Sequence, residues 1–223
     1  MAQNDEFIRE VDEEYRRDQI AQIWKNYSGL IIGLALLVVA AVGGWRFYEH
    51  RQETSAQAAA TRYQEAVQLA SEGKDEDAEK VLAALATDAP SGYALLTRFR
   101  LAAERGKDSV EEGAKAFDTL AADTGIDPVW RDLARVRAAM LRMDSAEPAV
   151  VRQALEPLAA PSQVWRHTAR ELLGLSGLKS GDMDYAGRWF DQIAADRETP
   201  ASLRQRLETY TALVAGGPVQ VTQ

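Results

Sequence analysis

The chain has 223 residues, of which 46% are apolar and 27% charged, a balance that suits a folded protein and excludes a disordered or collagen-like polymer. Its formal charge of −8 argues against a phosphate backbone as partner, so no nucleic acid is expected. With no cysteine, disulfides, thiolate catalysis and cysteine-ligated metal centres are excluded.

Residues 1–27 hold seven acids and four bases, unlike the short basic leader of a cleaved signal peptide. Phe7, Val11 and Tyr15 recur every four residues, as one helix face would require, although an irregular solvated tail up to Gln19 suits the composition equally. From Ser28 to Trp45 the sequence reads SGLIIGLALLVVAAVGGW, without charge between Lys25 and Arg46. As a helix this run spans about 27 Å, close to the hydrocarbon thickness of a bilayer. Trp24 and Tyr27 flank one end and Trp45, Phe47 and Tyr48 the other, at the level amphipathic rings favour. We therefore expect a cytoplasmic N-terminal segment at 1–27 and a transmembrane helix at 28–48. Nearby basic residues favour an inside N-terminus only slightly: Arg16, Arg17 and Lys25 against Arg46 and Arg51. Gly29 with Gly33, and Ala40 with Gly44, form small-xxx-small pairs that permit a second helix to approach closely, whether a partner or a second copy.

Beyond the anchor every segment reads as helix, rich in Ala, Leu, Glu and Arg and without the β-branched alternation of strands. Ala56 to Ser71 precedes Glu76 to Ala86. Ser91 to Glu104, a turn at Arg105-Gly106-Lys107 and Ser109 to Ala122 follow. Pro128 to Met143 precedes Pro148 to Leu158, and Ser162 to Lys179 precedes Asp182 to Ala195. A final helix runs from about Pro200 to Val214. Pro90, Pro128, Pro148, Pro161 and Pro200 fall at or beside first turns, where a missing N–H costs nothing.

Equivalent helices recur at about 35 residues, near the period of tetratricopeptide repeats. Gly73, Ala78, Leu82, Leu85 and Pro90 follow that repeat's order of turn glycine, small residue, core apolar residues and closing proline. Leu173, Gly174, Gly181, Ala186 and Phe190 repeat it in the last pair, while the middle pairs are degenerate, with Glu111 where a small residue is expected after Gly106. The expected fold is all-α: one transmembrane helix, then an α-solenoid of about four degenerate helix pairs and a terminal helix over 49–215, closed by a flexible tail at 216–223.

The order of parts, a leader ending in WKNY, one anchor and weak repeats, resembles the YfgM-like family of tetratricopeptide-like proteins from about Glu6 to Val214. The resemblance implies a single-pass protein of the bacterial inner membrane with a cytoplasmic N-terminus and a periplasmic repeat domain. It also implies association with the SecYEG translocon and a hand-over of newly exported proteins to periplasmic chaperones. The alternative is a scaffold for an envelope or division complex.

No catalytic constellation is evident. His50 and His167 are far apart in sequence, and His167 with Glu171 offers too few ligands for a metal. Adjacent acids such as Glu13-Glu14 and Glu111-Glu112 point to different helix faces. We expect no enzyme, cofactor or metal, and instead binding in a groove lined by the first helix of each pair. The family's groove positions, carried onto this sequence, imply Tyr63 and Val67, then Tyr93 and Arg100, then Glu171, Leu175 and Lys179. Trp130, Trp165 and Trp189 are expected in the core between helices.

Overall fold

The computed structural model describes residues 2–217, without the side chains of residues 2–23, Asn26, Ile31 and Ser91. The side chains of Phe7, Val11 and Tyr15, and the tail from 218 onward, therefore lie outside the described residues. Two compact units are present, Met1–Gln57 and Ala58–Gln223.

The first unit belongs to α1, a helix that runs from Ala2 to Ser71. Among the described residues, one stretch is long and apolar enough to cross a membrane, and it lies within Tyr27–Ser71. Its Leu30, Leu34, Leu37 and Val39 side chains are exposed, as a surface meant for hydrocarbon must be. A Cβ placed on Gly29, Gly33 or Gly44 would meet nothing within 4 Å.

The second unit comprises the end of α1 and α2 (Asp75–Asp88), α3 (Ser91–Asp108), α4 (Val110–Ala122), α5 (Pro128–Arg142), α6 (Pro148–Leu155), α7 (Arg166–Lys179), α8 (Met183–Ala195) and α9 (Ala201–Gly216). The described residues include no strand. Sequence and structure agree at the first and last turns for a specific reason. Gly73 and Gly181 adopt φ of 76° and 73°, the left-handed conformation that a side chain disfavours. The next N–H reaches back over each turn, Lys74 to the Leu69 carbonyl and Asp182 to the Gly177 carbonyl, both at 2.9 Å. Asp127 caps α5 by accepting from the Val129 N–H at 2.9 Å, with Pro128 in the first turn. Asp182 caps α8 through the Tyr185 N–H at 3.1 Å.

Expected boundaries move in two regions. The turn expected at Arg105-Gly106-Lys107 is helix, and α3 continues to Asp108. Gly106 is a contact: a Cβ on Gly113 of α4 would lie 2.4 Å from the Gly106 Cα. The small residue required where α3 and α4 cross is therefore Gly113, and Glu111 is exposed. Ser109 alone joins the two helices, its N–H donating to the Arg105 carbonyl at 2.9 Å and its Oγ accepting from the Glu112 N–H at 3.3 Å.

The second shift concerns α6, which ends at Leu155 and passes into a 3-10 turn over Glu156–Ala159. Pro157 has no N–H with which to continue the α-helical ladder. The following helix then starts at Arg166, so Pro161 lies in the connection and not at the first turn of α7.

The cores follow the pairing. Ala102, Phe117, Leu120, Ile126 and Ala134 unite α3, α4 and α5; Val136, Leu155, Leu173 and Tyr185 unite α5 to α8; Phe190, Ile193, Leu203 and Leu207 join α8 to α9. Complete burial of side chains of this size contributes about 1.5–3 kcal/mol each.

Candidate functional site: an aromatic groove on the repeat unit

The α3 sequence places Leu96, Phe99, Arg100 and Ala103 at i, i+3, i+4 and i+7, one face of a helix. On α5, Trp130, Leu133, Arg137, Met140 and Leu141 share a face by the same rule. These two faces, Tyr63 of α1 and Phe117 of α4 enclose an open groove of about 510 Å³. Its walls therefore come chiefly from the first helix of successive pairs.

Aromatic rings form the base. Phe99 lies 5.8 Å from Phe117 and 6.0 Å from Trp130 between ring centroids, the latter edge-on. Phe117 is buried, whereas Leu96, Trp130 and Met140 keep 47%, 39% and 43% of their surface exposed. Large apolar side chains left wet inside a concavity define a surface for association.

Among the described residues, two cations and no carboxylate line the groove. Arg100 is ion-paired with Glu104, which is buried and also meets Lys107. The hydrogen bond to Glu104 raises the Lys107 ammonium above its ordinary pKa. Lys107 also lies 3.5 Å from Asp75, which links α3 to the first turn of α2. Arg137 is exposed and has no carboxylate partner among the described residues.

Of the seven groove positions expected from sequence, Tyr63 and Arg100 line this groove. Val67 and Tyr93 are partly buried and lie outside its lining. The three α7 positions are engaged elsewhere within the chain. Glu171 accepts from Arg206 Nε and Nη2 at 2.8 and 2.9 Å and from the Tyr210 hydroxyl at 3.0 Å, clamping α9 onto α7. Those bonds raise the Arg206 guanidinium, and burial followed by Glu171 raises Tyr210. Leu175 packs on the α5–α8 core. Lys179 donates to the Met143 carbonyl at the end of α5 and lies 3.8 Å from Asp144, placing a cation where helix dipoles favour one.

Leu96, Phe99, Leu133, Arg137 and Met140 also line the groove, and so does Trp130, which is 39% exposed and not in the core expected for it. The available signal was the breadth of the apolar face of α5, in which Trp130, Leu133 and Met140 run beside the buried Ala134 and Ala138. Trp165 and Trp189 do pack against the core, and Trp165 Nε1 donates to the Val129 carbonyl at 2.9 Å.

His167 belongs to a structural ion network. Its Nε2 is 3.8 Å from Asp196, and its Nδ1 is 3.4 Å from the Thr199 hydroxyl. Asp196 accepts from Arg166 at 3.0 Å and Arg170 at 3.1 Å, and its other oxygen accepts from the Glu198 N–H at 3.0 Å. The Arg166 hydrogen bond leads these causes and holds the Asp196 carboxyl down at about 2. Burial, followed by the Arg166 charge, pushes the His167 imidazole below its usual value. Among the described residues, no group of three or more His, Asp and Glu is placed to hold a metal ion.

Helix pairs stacked around a groove, with a helix of membrane-spanning length and composition, define a helical-repeat binding protein. A family model for the tetratricopeptide repeat-like domain matches residues 22–209, and the chain belongs to that family. The chain is also 26% identical over 196 residues to the ancillary SecYEG translocon subunit of Escherichia coli (strain K12), an alignment covering 84% of this chain and 91% of that one. Together these matches support the YfgM-like resemblance read from the order of parts. No solved structure matches the chain.

Proposed function

We propose that this chain is a non-catalytic, single-pass inner-membrane protein that associates with the Sec translocon. Its N-terminal segment at 1–27 lies in the cytoplasm, its anchor occupies 28–48, and its repeat region binds newly exported proteins or periplasmic chaperones and passes clients between them. The groove carries this reading, because its wet Leu96, Trp130 and Met140 provide a ready binding surface without covalent chemistry. The translocon relative supports the location. The three-to-two bias of basic residues across the anchor supports the orientation. Gly29, Gly33, Ala40 and Gly44 are assigned to helix contacts inside the membrane, with translocon subunits or with a second copy.

Photoreactive residues at Leu34 and, separately, at Met140 test the proposal in intact cells. Translocon subunits attached at Leu34 and exported proteins or chaperones attached at Met140 are expected. Envelope-assembly or division proteins at both sites, without Sec subunits, would overturn it in favour of a scaffold. Trp130→Ala should abolish the Met140 adducts and leave those at Leu34 intact.

A further inference from the structure

We infer that the groove selects peptide segments in which an apolar anchor side chain is accompanied by carboxylates, with Arg137 as the group that reads the acid. The inference rests on the reading of this groove as the protein-binding site. Arg137 lies on the same α5 face as Trp130, Leu133 and Met140, so a segment seated on those apolar groups passes alongside its guanidinium. Most guanidiniums on α3 and α5 are committed within the chain: Arg98 to Asp123, Arg100 to Glu104, Arg105 to Glu79 and Arg142 to Asp118. Arg137 has no such partner among the described residues and keeps its fork of donors for a ligand carboxylate. A basic segment would bring like charge to Arg137, which has no acid beside it among the described lining residues.

A chain of net charge −8 repels an acidic partner at a distance, so the preference arises from local contact and is expressed in residence time more than in encounter rate. An open groove also suits a peptide that enters from the side, whereas a lipid tail is better held in an enclosed tunnel.

The test uses the full-length protein in neutral-lipid nanodiscs and fluorescence anisotropy of a short labelled peptide bearing a Leu-Phe anchor flanked by Asp and Glu. Matched probes carry Asn and Gln, or Lys, in place of the acids. The acidic peptide should bind about threefold to tenfold more tightly than the amide peptide, and added salt should narrow the gap. Arg137→Gln should bring the acidic and amide peptides to the same affinity as each other on that variant, with thermal stability unchanged. Arg197→Gln, at an exposed arginine beyond α8, should leave the preference intact. Equal affinity for acidic and amide peptides, or an acid preference that survives Arg137→Gln, would overturn the inference while leaving the groove a binding site. Failure of all three peptides to bind would overturn the groove reading itself. Displacement by phosphatidylglycerol at concentrations where the unlabelled acidic peptide does not compete would overturn it in favour of a lipid site.

Discussion

The ring of Phe190 fills the space that a side chain on Gly174 would occupy: a Cβ there would lie 2.3 Å from the ring's Cε1. Phe190 is fully buried and stacks on Tyr210 with centroids 5.1 Å apart, so this contact between α7 and α8 also sets the seat of α9.

Gly174→Ala should therefore destabilise the repeat unit by about 1–3 kcal/mol, since the ring can retreat only into filled space. Thermal denaturation of the full-length protein in detergent should show a midpoint lower by roughly 2–4 °C for each kcal/mol lost. Adding Phe190→Leu should recover part of the loss, because the two changes share one volume. An unchanged midpoint for Gly174→Ala alone would refute the close contact.

Glu171 is the acid on which Arg206 and Tyr210 of α9 converge. Glu171→Ala should cost about 1–2 kcal/mol, a range lowered because half-exposed Arg206 can return to water. Hydrogen exchange should localise the effect, with amides of α9 exchanging faster and those of α3 and α4 unaffected. Uniform acceleration would assign Glu171 a global role instead.

Acid should weaken the junction of α7, α8 and α9. Asp196 titrates at about 2 in the folded chain against an ordinary value of 3.8, so between these values the unfolded chain holds more proton. The stability due to its ionised form is present above about pH 4 and is lost as pH falls toward 2. His167 acts in the same direction at higher pH. Its folded pKa lies below 6.5, so the unfolded chain takes up the proton first and stability declines as pH drops through that value. Urea midpoints measured from pH 7.5 to 2 should fall in two stages. Asp196→Asn should flatten the lower stage and His167→Gln the upper one; unchanged slopes would remove these groups as its source.

A charge in the centre of the apolar run should impair insertion. Leu37→Arg places a guanidinium mid-span at a cost of about 2.5–3.5 kcal/mol on the insertion scale. Alkaline extraction of membranes should release a substantial share of the variant while the unaltered protein stays in the pellet. Equal retention would argue against residues 28–48 as a simple span.

The fold was legible where local chemistry acts alone. Gly73 and Gly181 lie in turns that need a left-handed residue, and Pro128 opens a helix by rules that involve no distant partner. Legibility failed where the deciding partner lies on another helix. Gly106 reads as a breaker, yet its purpose is to receive Gly113, a relationship visible only once α3 and α4 are crossed. Glu171 has the appearance of a free surface acid, and its commitment depends on Arg206, 35 residues later. The groove was half legible for the same reason. Its position on the first helices followed from repeat logic, but Trp130 and Leu133 look like core in a linear pattern, and only packing decides which apolar stripe stays wet.

The one-residue link at Ser109 has an evolutionary and engineering consequence. A connection with no slack works as a gear: each residue added there would turn the face of α4 by about 100° and carry Phe117 away from Phe99. Changes in chain length are tolerable in the longer connections 143–147 and 160–165, which can bulge outward without turning a helix. Relatives that differ in length should therefore do so at those places and keep the spacing from Phe99 to Phe117 unchanged, and inserted tags should follow the same map.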